Sequence, residues 1–318
     1  WVFNTEGVIN SVPFADGENV YFGSNDGKVY AVSLKEGRLV WSFQTESTVQ
    51  SIVMRYHDTV VFTSDGGSTY FLSPEGELQH RLPNPVWHYD AFQIYENVMY
   101  FAPGPINRPR SLGAFDLDQK SYLWILNTAA LRATWYSFPA LKGDYLFFAT
   151  CRDRGISWEL NYYAYDRETG GVIWKYGENS YFGDNTSTSP EILFRKNLKL
   201  LDYMAPSLWK NLVVFTSGDS VVRAFHFKRG TPAWRRVFEY PTSSAPTVAG
   251  DRVYFGLRGD ETYPEGQPPR VVCLSVRNGR KLWEMEIEGA LLSAPVISGK
   301  WIIFGTDKNM FYVLEELY

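Results

Sequence analysis

The sequence predicts an all-β fold, a seven-bladed β-propeller of four-stranded antiparallel blades, and three observations carry the prediction. A unit of about 40 to 50 residues recurs from one end of the chain to the other. Aromatic residues make up 17% of the 318 positions, with 21 Tyr, 21 Phe and 11 Trp, the bias of many short, half-buried strands. In most units a turn glycine is followed four residues later by tryptophan, as at Gly37 and Trp41.

The first unit sets the frame. It reads Ser11-Val12-Pro13, then Asn19-Val20-Tyr21-Phe22-Gly23-Ser24, Asp26-Gly27, Val29-Tyr30-Ala31-Val32, Glu36-Gly37 and Trp41. Apolar and aromatic runs form strands, and Asp-Gly and Glu-Gly supply the positive φ that tight hairpins need. The tryptophan is a large apolar plug suited to packing between blades.

The second unit repeats the frame at Val60–Ser64, Asp65-Gly66 and Glu75-Gly76, but His80 stands where tryptophan is expected. The third has Val98–Phe101, Gly113–Leu117 and Trp124, with Lys120 in the turn glycine's place. The fourth, Tyr145–Phe148 with Tyr163–Gly170 and Trp174, is the fullest copy. The fifth runs from Ala205-Pro206-Ser207 to Gly230 and Trp234, and the sixth from Ala245-Pro246-Thr247 to Asn278-Gly279 and Trp283. The seventh, Ala294-Pro295-Val296 to Phe311–Leu314, lacks its outermost strand. Trp1-Val2-Phe3-Asn4-Thr5 matches Trp41-Ser42-Phe43-Gln44-Thr45 in register, so the N-terminal strand is expected to close the last blade and make residues 1–318 a single domain.

The segment Ala164-Tyr165-Asp166-Arg167-Glu168-Thr169-Gly170-Gly171-Val172-Ile173-Trp174 resembles the tryptophan-docking repeat of pyrroloquinoline-quinone (PQQ) type propellers. Fragments of that pattern occur in all seven units, so the resemblance spans essentially the whole chain. The family it implies contains quinoprotein dehydrogenases and cofactor-free proteins, among them the lipoprotein of the outer-membrane β-barrel assembly machine. The resemblance thus implies a periplasmic or cell-envelope location. Those relatives typically carry eight blades, and this chain shows seven.

Charge and cysteine content remove several function classes. Net charge is −4 with a pI near 5.7, which gives no general attraction to nucleic acid or anionic lipid. No run approaches the roughly 20 apolar residues of a membrane-spanning helix. Cys151 and Cys273 are the only cysteines, so the vicinal pair expected of a quinoprotein dehydrogenase is missing, and thiolate-rich metal sites are excluded. Of the two, Cys151 is expected to be the more accessible. The four histidines lack metal-ligand spacing, no nucleophile elbow or phosphate loop occurs, and the Asp-Gly carboxylates are explained as turn residues. The expectation is a non-catalytic binding or scaffold protein without cofactor or metal.

Where the repeats are interrupted, function is expected. With strands ordered from the axis outward, the second-to-third hairpins and the blade-to-blade connections share one face. Four insertions fall there: Pro103–Arg110, Cys151–Glu159, Arg258–Arg270 and the connection from Gly177 to Tyr203. Arg108, Arg110, Arg152, Arg154, Trp158, Arg195, Arg258 and Tyr263 are the candidate protein-binding residues, because arginine and aromatics dominate interface hot spots. Arginine-rich loops on an acidic protein suit a partner with an acidic surface or an anionic polymer. On the same face Trp87-His88-Tyr89-Asp90, Thr134-Trp135-Tyr136-Ser137 and Tyr203 replace small polar residues. His88, Tyr89, Asp90, Trp135, Tyr136 and Tyr203 either line an aromatic cup for a sugar or another small ligand, or plug a tapering channel. Both readings stay open at this point.

Overall fold

The computed structural model describes residues 1–9, 11, 13–83, 88–103, 111–127, 131, 133, 135–154, 157–180, 204–259, 267–308 and 310–316, with the backbone alone at 88–91, 102–103, 111, 127, 135–136, 153 and 180. The named elements are all strands, in seven antiparallel sheets that follow one another along the chain. Sheet one is β1 (Phe14–Ala15), β2 (Asn19–Gly23), β3 (Lys28–Ser33) and β4 (Leu39–Gln44). Sheet two is β5 (Met54–Tyr56), β6 (Thr59–Ser64), β7 (Ser68–Leu72) and β8 (Leu78–Pro83). Sheet three is β9 (His88–Tyr95), β10 (Val98–Pro103), β11 (Ser111–Asp116) and β12 (Ser121–Asn127). Sheet four is β13 (Trp135–Tyr136), β14 (Ala140–Lys142), β15 (Tyr145–Asp153), β16 (Trp158–Asp166) and β17 (Val172–Ser180). Sheet five is β18 (Ser207–Trp209), β19 (Leu212–Phe215), β20 (Val221–His226) and β21 (Pro232–Val237). Sheet six is β22 (Thr247–Ala249), β23 (Arg252–Leu257), β24 (Arg270–Ser275) and β25 (Lys281–Glu286). Sheet seven is β26 (Val296–Ser298), β27 (Trp301–Gly305) and β28 (Phe311–Glu315).

The chain divides into two compact units. Residues Trp1–Leu131 with Glu168–Gly170 form one, and Arg132–Arg167 with Gly171–Tyr318 form the other. In both, the burial of a strand follows its place in the sheet. Middle strands such as β6 and β24 are buried on both faces and read as continuous apolar runs, whereas outer strands β4, β8 and β25 alternate exposed with half-buried. The cores lie between successive sheets, as where Tyr21, Val29 and Ala31 of sheet one meet Val60, Phe62 and Tyr70 of sheet two.

The tryptophan after each turn glycine is the clasp between neighbouring sheets. A β-bulge recurs between the third and fourth strands of sheets one to six, at Ala31/Val32, Phe71/Leu72, Ala114/Phe115, Ala164/Tyr165, Ala224/Phe225 and Cys273/Leu274. A bulge re-aims the side chain opposite it. Trp41 thereby lies on Gly76, Trp124 on Gly170, Trp174 on Gly230 and Trp234 on Gly279. The indole N–H of Trp41, Trp174 and Trp234 donates to the carbonyls of Pro74, Phe227 and Val276 at 2.7, 2.6 and 2.8 Å. Each of these glycines has positive φ, and a Cβ there would fall 2.5–2.6 Å from an indole carbon, so only glycine fits. Trp283 uses a carboxylate instead, donating to Glu316 at 2.8 Å. That carboxylate also accepts the Tyr254 hydroxyl at 2.6 Å and pairs with Arg252.

Three expectations need correction. Residues 1–5 form no strand and sheet seven has three strands, so the closing strand is not made among the described residues. The register read for Trp1 nevertheless holds as a docking register: its indole lies on Gly37 and donates to the Leu34 carbonyl at 3.0 Å, as Trp41 does on Gly76. In sheet two the left-handed residue is Gly67, with φ of 89°, one beyond the Asp65-Gly66 step. Cys151 is fully buried, for the reason given with its strand below.

Serines twelve residues apart from their partners start several inner strands. The Ser11 hydroxyl accepts from the Gly23 N–H at 2.8 Å and donates to its carbonyl at 2.9 Å, and Ser51 does the same with Thr63. Ser137 and Ser244 accept from Ala149 and Gly256 at 2.8 and 2.9 Å. These hydroxyls extend the ladder where the inner strand is too short to do so with its own backbone.

Sheets one and two are also stapled by an ion pair between Asp16 and Arg55. Burial alone would raise the Asp16 pKa, but the N–H groups of Asn19 and Glu18, the Tyr21 hydroxyl and the Arg55 guanidinium outweigh it, and the carboxyl falls from 3.8 to about 2. A carboxyl whose folded value lies below its unfolded one contributes stability that is complete above the unfolded value and lost as pH falls toward the folded one. Urea unfolding is expected to show about 2 kcal/mol of stability disappearing from this source on acidification. Asp16→Asn should flatten that acid limb; an unchanged limb would mean the staple does not form.

Candidate protein-binding face

The insertions marked in the sequence fall unevenly on the described residues. Arg108, Arg110, Arg195, Tyr203 and Tyr263 lie outside them. His88, Tyr89 and Asp90 begin β9, and Trp135 and Tyr136 form β13, so the aromatic segments are strand rather than connecting loop. β9 runs eight residues where β1, β5 and β18 run two or three, and it reaches His88 opposite Pro103. Trp135 and Tyr136 pair with Cys151 and Thr150. Their side chains lie outside what is described.

The Cys151–Glu159 insertion is described almost throughout, and it is not a loop. β15, β16 and β17 each extend to nine residues, against five or six in β2 and β3, and the ladder continues to Asp153 opposite Trp158 and Trp158 opposite Ser180. The result is a three-stranded projection closed by a short turn, with the Arg154 N–H donating to the Ser157 carbonyl at 2.9 Å. Strand alternation then decides which side chains face in. Phe147, Ala149 and Cys151 point one way along β15, and Trp158, Leu160, Tyr162 and Ala164 do so along β16, all into one core cluster.

Two sequence assignments are corrected by this. Trp158 is 3% exposed and belongs to the core, not to a contact surface, because continuing the strand puts it on the inward parity. Cys151 is buried for the same reason, which removes it as an accessible thiol.

Arg152 and Arg154 do reach the surface at the end of this projection. Arg152 is half-buried and sits directly opposite Glu159 in the ladder; Arg154 is exposed and pairs with Glu159, its Nε donating to Oε2 at 2.8 Å. Hydrogen bonding from Asn161, then the pairing with Arg154 and the nearby charge of Arg152, holds Glu159 below the usual carboxylate range against the opposing effect of burial. Two cations therefore share the ionised Glu159, and with Asp153 between them in sequence the segment is formally neutral and presents charges of both signs. Arg258 is half-buried just beyond β23, its N–H donating to the Pro241 carbonyl at 2.9 Å.

Beneath the projection lies a buried polar cluster that the sequence reading missed. Arg223 of β20 is 2% exposed and holds Asp219 with two N–H donors at 2.7 and 3.0 Å, while its Nε meets Glu178 of β17. The guanidinium also lies 5.6 Å from the centre of the Tyr162 ring, and the Tyr162 hydroxyl shares a 2.9 Å hydrogen bond with Ser217. Burial drives the tyrosine pKa upward; for Arg223 the two carboxylates overcome the burial penalty and hold it fully cationic. The signal was present: Arg223 interrupts the apolar run Val221-Val222-Ala224-Phe225, and an arginine in a middle strand needs buried acids.

This arrangement presents charged side chains on a continuous strand ladder. Among the described residues no helix is long and apolar enough to cross a membrane. A fold of successive antiparallel sheets clasped by docked tryptophans defines a β-propeller protein of PQQ-like repeats. The family model described as outer membrane protein assembly factor BamB matches residues 1–90, 108–288 and 218–317. The chain belongs to that family. Among solved structures, BamB from Moraxella catarrhalis is similar with a TM-score of 0.69 at 14% identity, over 99% of this chain and 87% of that one. A europium-containing methanol dehydrogenase gives 0.65 at 13% identity, over 99% and 78%. The computationally designed Ika8 protein gives 0.52 at 11%, over 98% and 97%. These likenesses are of fold. No curated protein matches the sequence.

Proposed function

We propose that this protein is a non-catalytic scaffold of the bacterial cell envelope, located in the periplasm, that holds a protein partner in outer-membrane protein assembly. The observation that carries the reading is the sheet-four projection, where the sequence added length and the added residues form ordered strand ending in Arg152 and Arg154. Membership of the assembly-factor family supports it. The partner is a protein with an acidic surface or an anionic polymer, and Arg108, Arg110, Arg195, Arg258 and Tyr263 are proposed as further contact residues. Glu159 orients the arginines before the partner arrives, which lowers the ordering cost of binding.

Reversing both charges, Arg152→Glu with Arg154→Glu, is expected to abolish partner capture by a protein that still folds, with a lowered melting temperature because two more carboxylates then face Glu159. Capture that survives the reversal would show that another face binds.

The likeness to a methanol dehydrogenase favours one competing reading, quinone-dependent oxidation. Addition of PQQ with Ca²⁺ is expected to give neither thermal stabilisation nor dye reduction; dye reduction would make the protein an enzyme, and stabilisation alone would show that it binds the cofactor. A small ligand held by His88, Tyr89, Asp90, Trp135, Tyr136 and Tyr203 is the remaining alternative, recognisable as a co-purified molecule in native mass spectrometry.

A further inference from the structure

Among the described residues five indoles fill the same kind of slot, and one slot of that kind is left without its indole. Trp1, Trp41, Trp124, Trp174 and Trp234 each lie against the turn glycine of a neighbouring unit, with a glycine Cβ position 2.4–2.6 Å from the ring. Where the N–H partner is a backbone carbonyl, it belongs to the residue two or three before that glycine: Leu34, Pro74, Phe227 and Val276.

Between sheets two and three both halves of the pair are changed together. His80 stands for the tryptophan, and Lys120, with φ of 53°, stands for the glycine. A lysine Cβ would collide with a docked indole, so the two replacements belong together. The residue across the ladder changes as well. Alanine or cysteine faces the tryptophan in sheets one and three to six, whereas Phe71 faces His80 and turns toward Phe115 at 6.0 Å. Phe71 lines the slot, with its ring 5.5 Å from that of His80. What remains is a cavity of about 210 Å³, floored by Val61, Phe71 and Leu117, walled by Tyr56, and open past Gln79 and Lys120.

We propose that this cavity binds a neutral, planar aromatic ring bearing an N–H donor, of the indole class, supplied by a small molecule. Three features specify the ligand. The floor is apolar and aromatic, which suits a flat ring. Leu117, three residues before Lys120, occupies the position whose carbonyl receives the indole N–H elsewhere, and among the described residues no N–H donates to that carbonyl. Asp58, Asp118 and Lys120 border the opening with charges of both signs, which favours a ring without net charge. The proposal is independent of the scaffold reading.

The test is a fluorine NMR titration of the intact protein with 5-fluoroindole. Saturable binding is expected, with contacts from the ring to Phe71 and Leu117. The variant His80→Trp with Lys120→Gly and Phe71→Ala restores the tryptophan clasp from within, and it is expected to lose that binding and to melt at a higher temperature. Gln79→Trp, at an exposed position on the rim, closes the mouth without touching the core and should lose binding too. Absence of saturable binding to the wild-type protein, or binding undiminished in Gln79→Trp, overturns the proposal.

Discussion

Asp219→Ala is expected to lower the unfolding free energy by about 3 kcal/mol, the low end of the range for breaking a buried ion pair by removing one partner. The magnitude follows from what is left behind. Arg223 is 2% exposed and cannot shed its proton, so losing Asp219 removes two charge-assisted hydrogen bonds at 2.7 and 3.0 Å and strands a cation in a dry site. Glu178 remains as a second counter-ion, which holds the loss near the low end. Arg223→Leu should cost less than Asp219→Ala, because it removes the charge that needs compensation and leaves a side chain that packs. Urea unfolding of the two variants compares them directly. If the leucine variant proves the less stable, the cluster is held by its cation rather than by charge balance, and the account of the sheet-four to sheet-five junction is wrong.

Trp174→Ala should be larger still, about 3–5 kcal/mol, since it empties a buried indole site. Trp174 is 8% exposed, packs between Phe147 and Phe225 with ring centres 6.2 and 6.0 Å away, and donates to the Phe227 carbonyl. Gly230→Ala attacks the same clasp from the other side. The glycine has φ of 65°, which costs an L-residue about 1–2 kcal/mol, and its new Cβ would lie 2.5 Å from an indole carbon. The steric part depends on the ring being present, so Gly230→Ala should cost measurably less in the Trp174→Ala background. Additive losses would mean that the glycine is required by its backbone alone, and that the indole is not docked on it.

The sheet-to-sheet clasp was legible because a glycine and a tryptophan four residues apart repeat often enough to be recognised, and the same spacing exposed the weak unit at His80 and Lys120. The site was less legible. Cys151–Glu159 reads as a loop against the short hairpin of the first unit, yet Trp158, Leu160, Tyr162 and Ala164 already alternate as a strand does, and following that period would have placed Trp158 inside. Arg223 was overlooked because its neighbours in sequence are apolar; its partners come from a turn four residues earlier and a strand 45 residues earlier. Trp1 shows a different limit. Its match to Trp41 identified a docking position correctly, but a shared side-chain register does not by itself guarantee a paired backbone.

Site-specific photo-crosslinking from the position of Arg154, with the full-length protein in intact cells, tests the central claim most directly. The account predicts an adduct with an envelope protein engaged in outer-membrane assembly, lost when Arg152 becomes glutamate. A folded, correctly located protein that yields no adduct from this position, while a position in the exposed β20–β21 turn of the same unit such as Lys228 does, would contradict it.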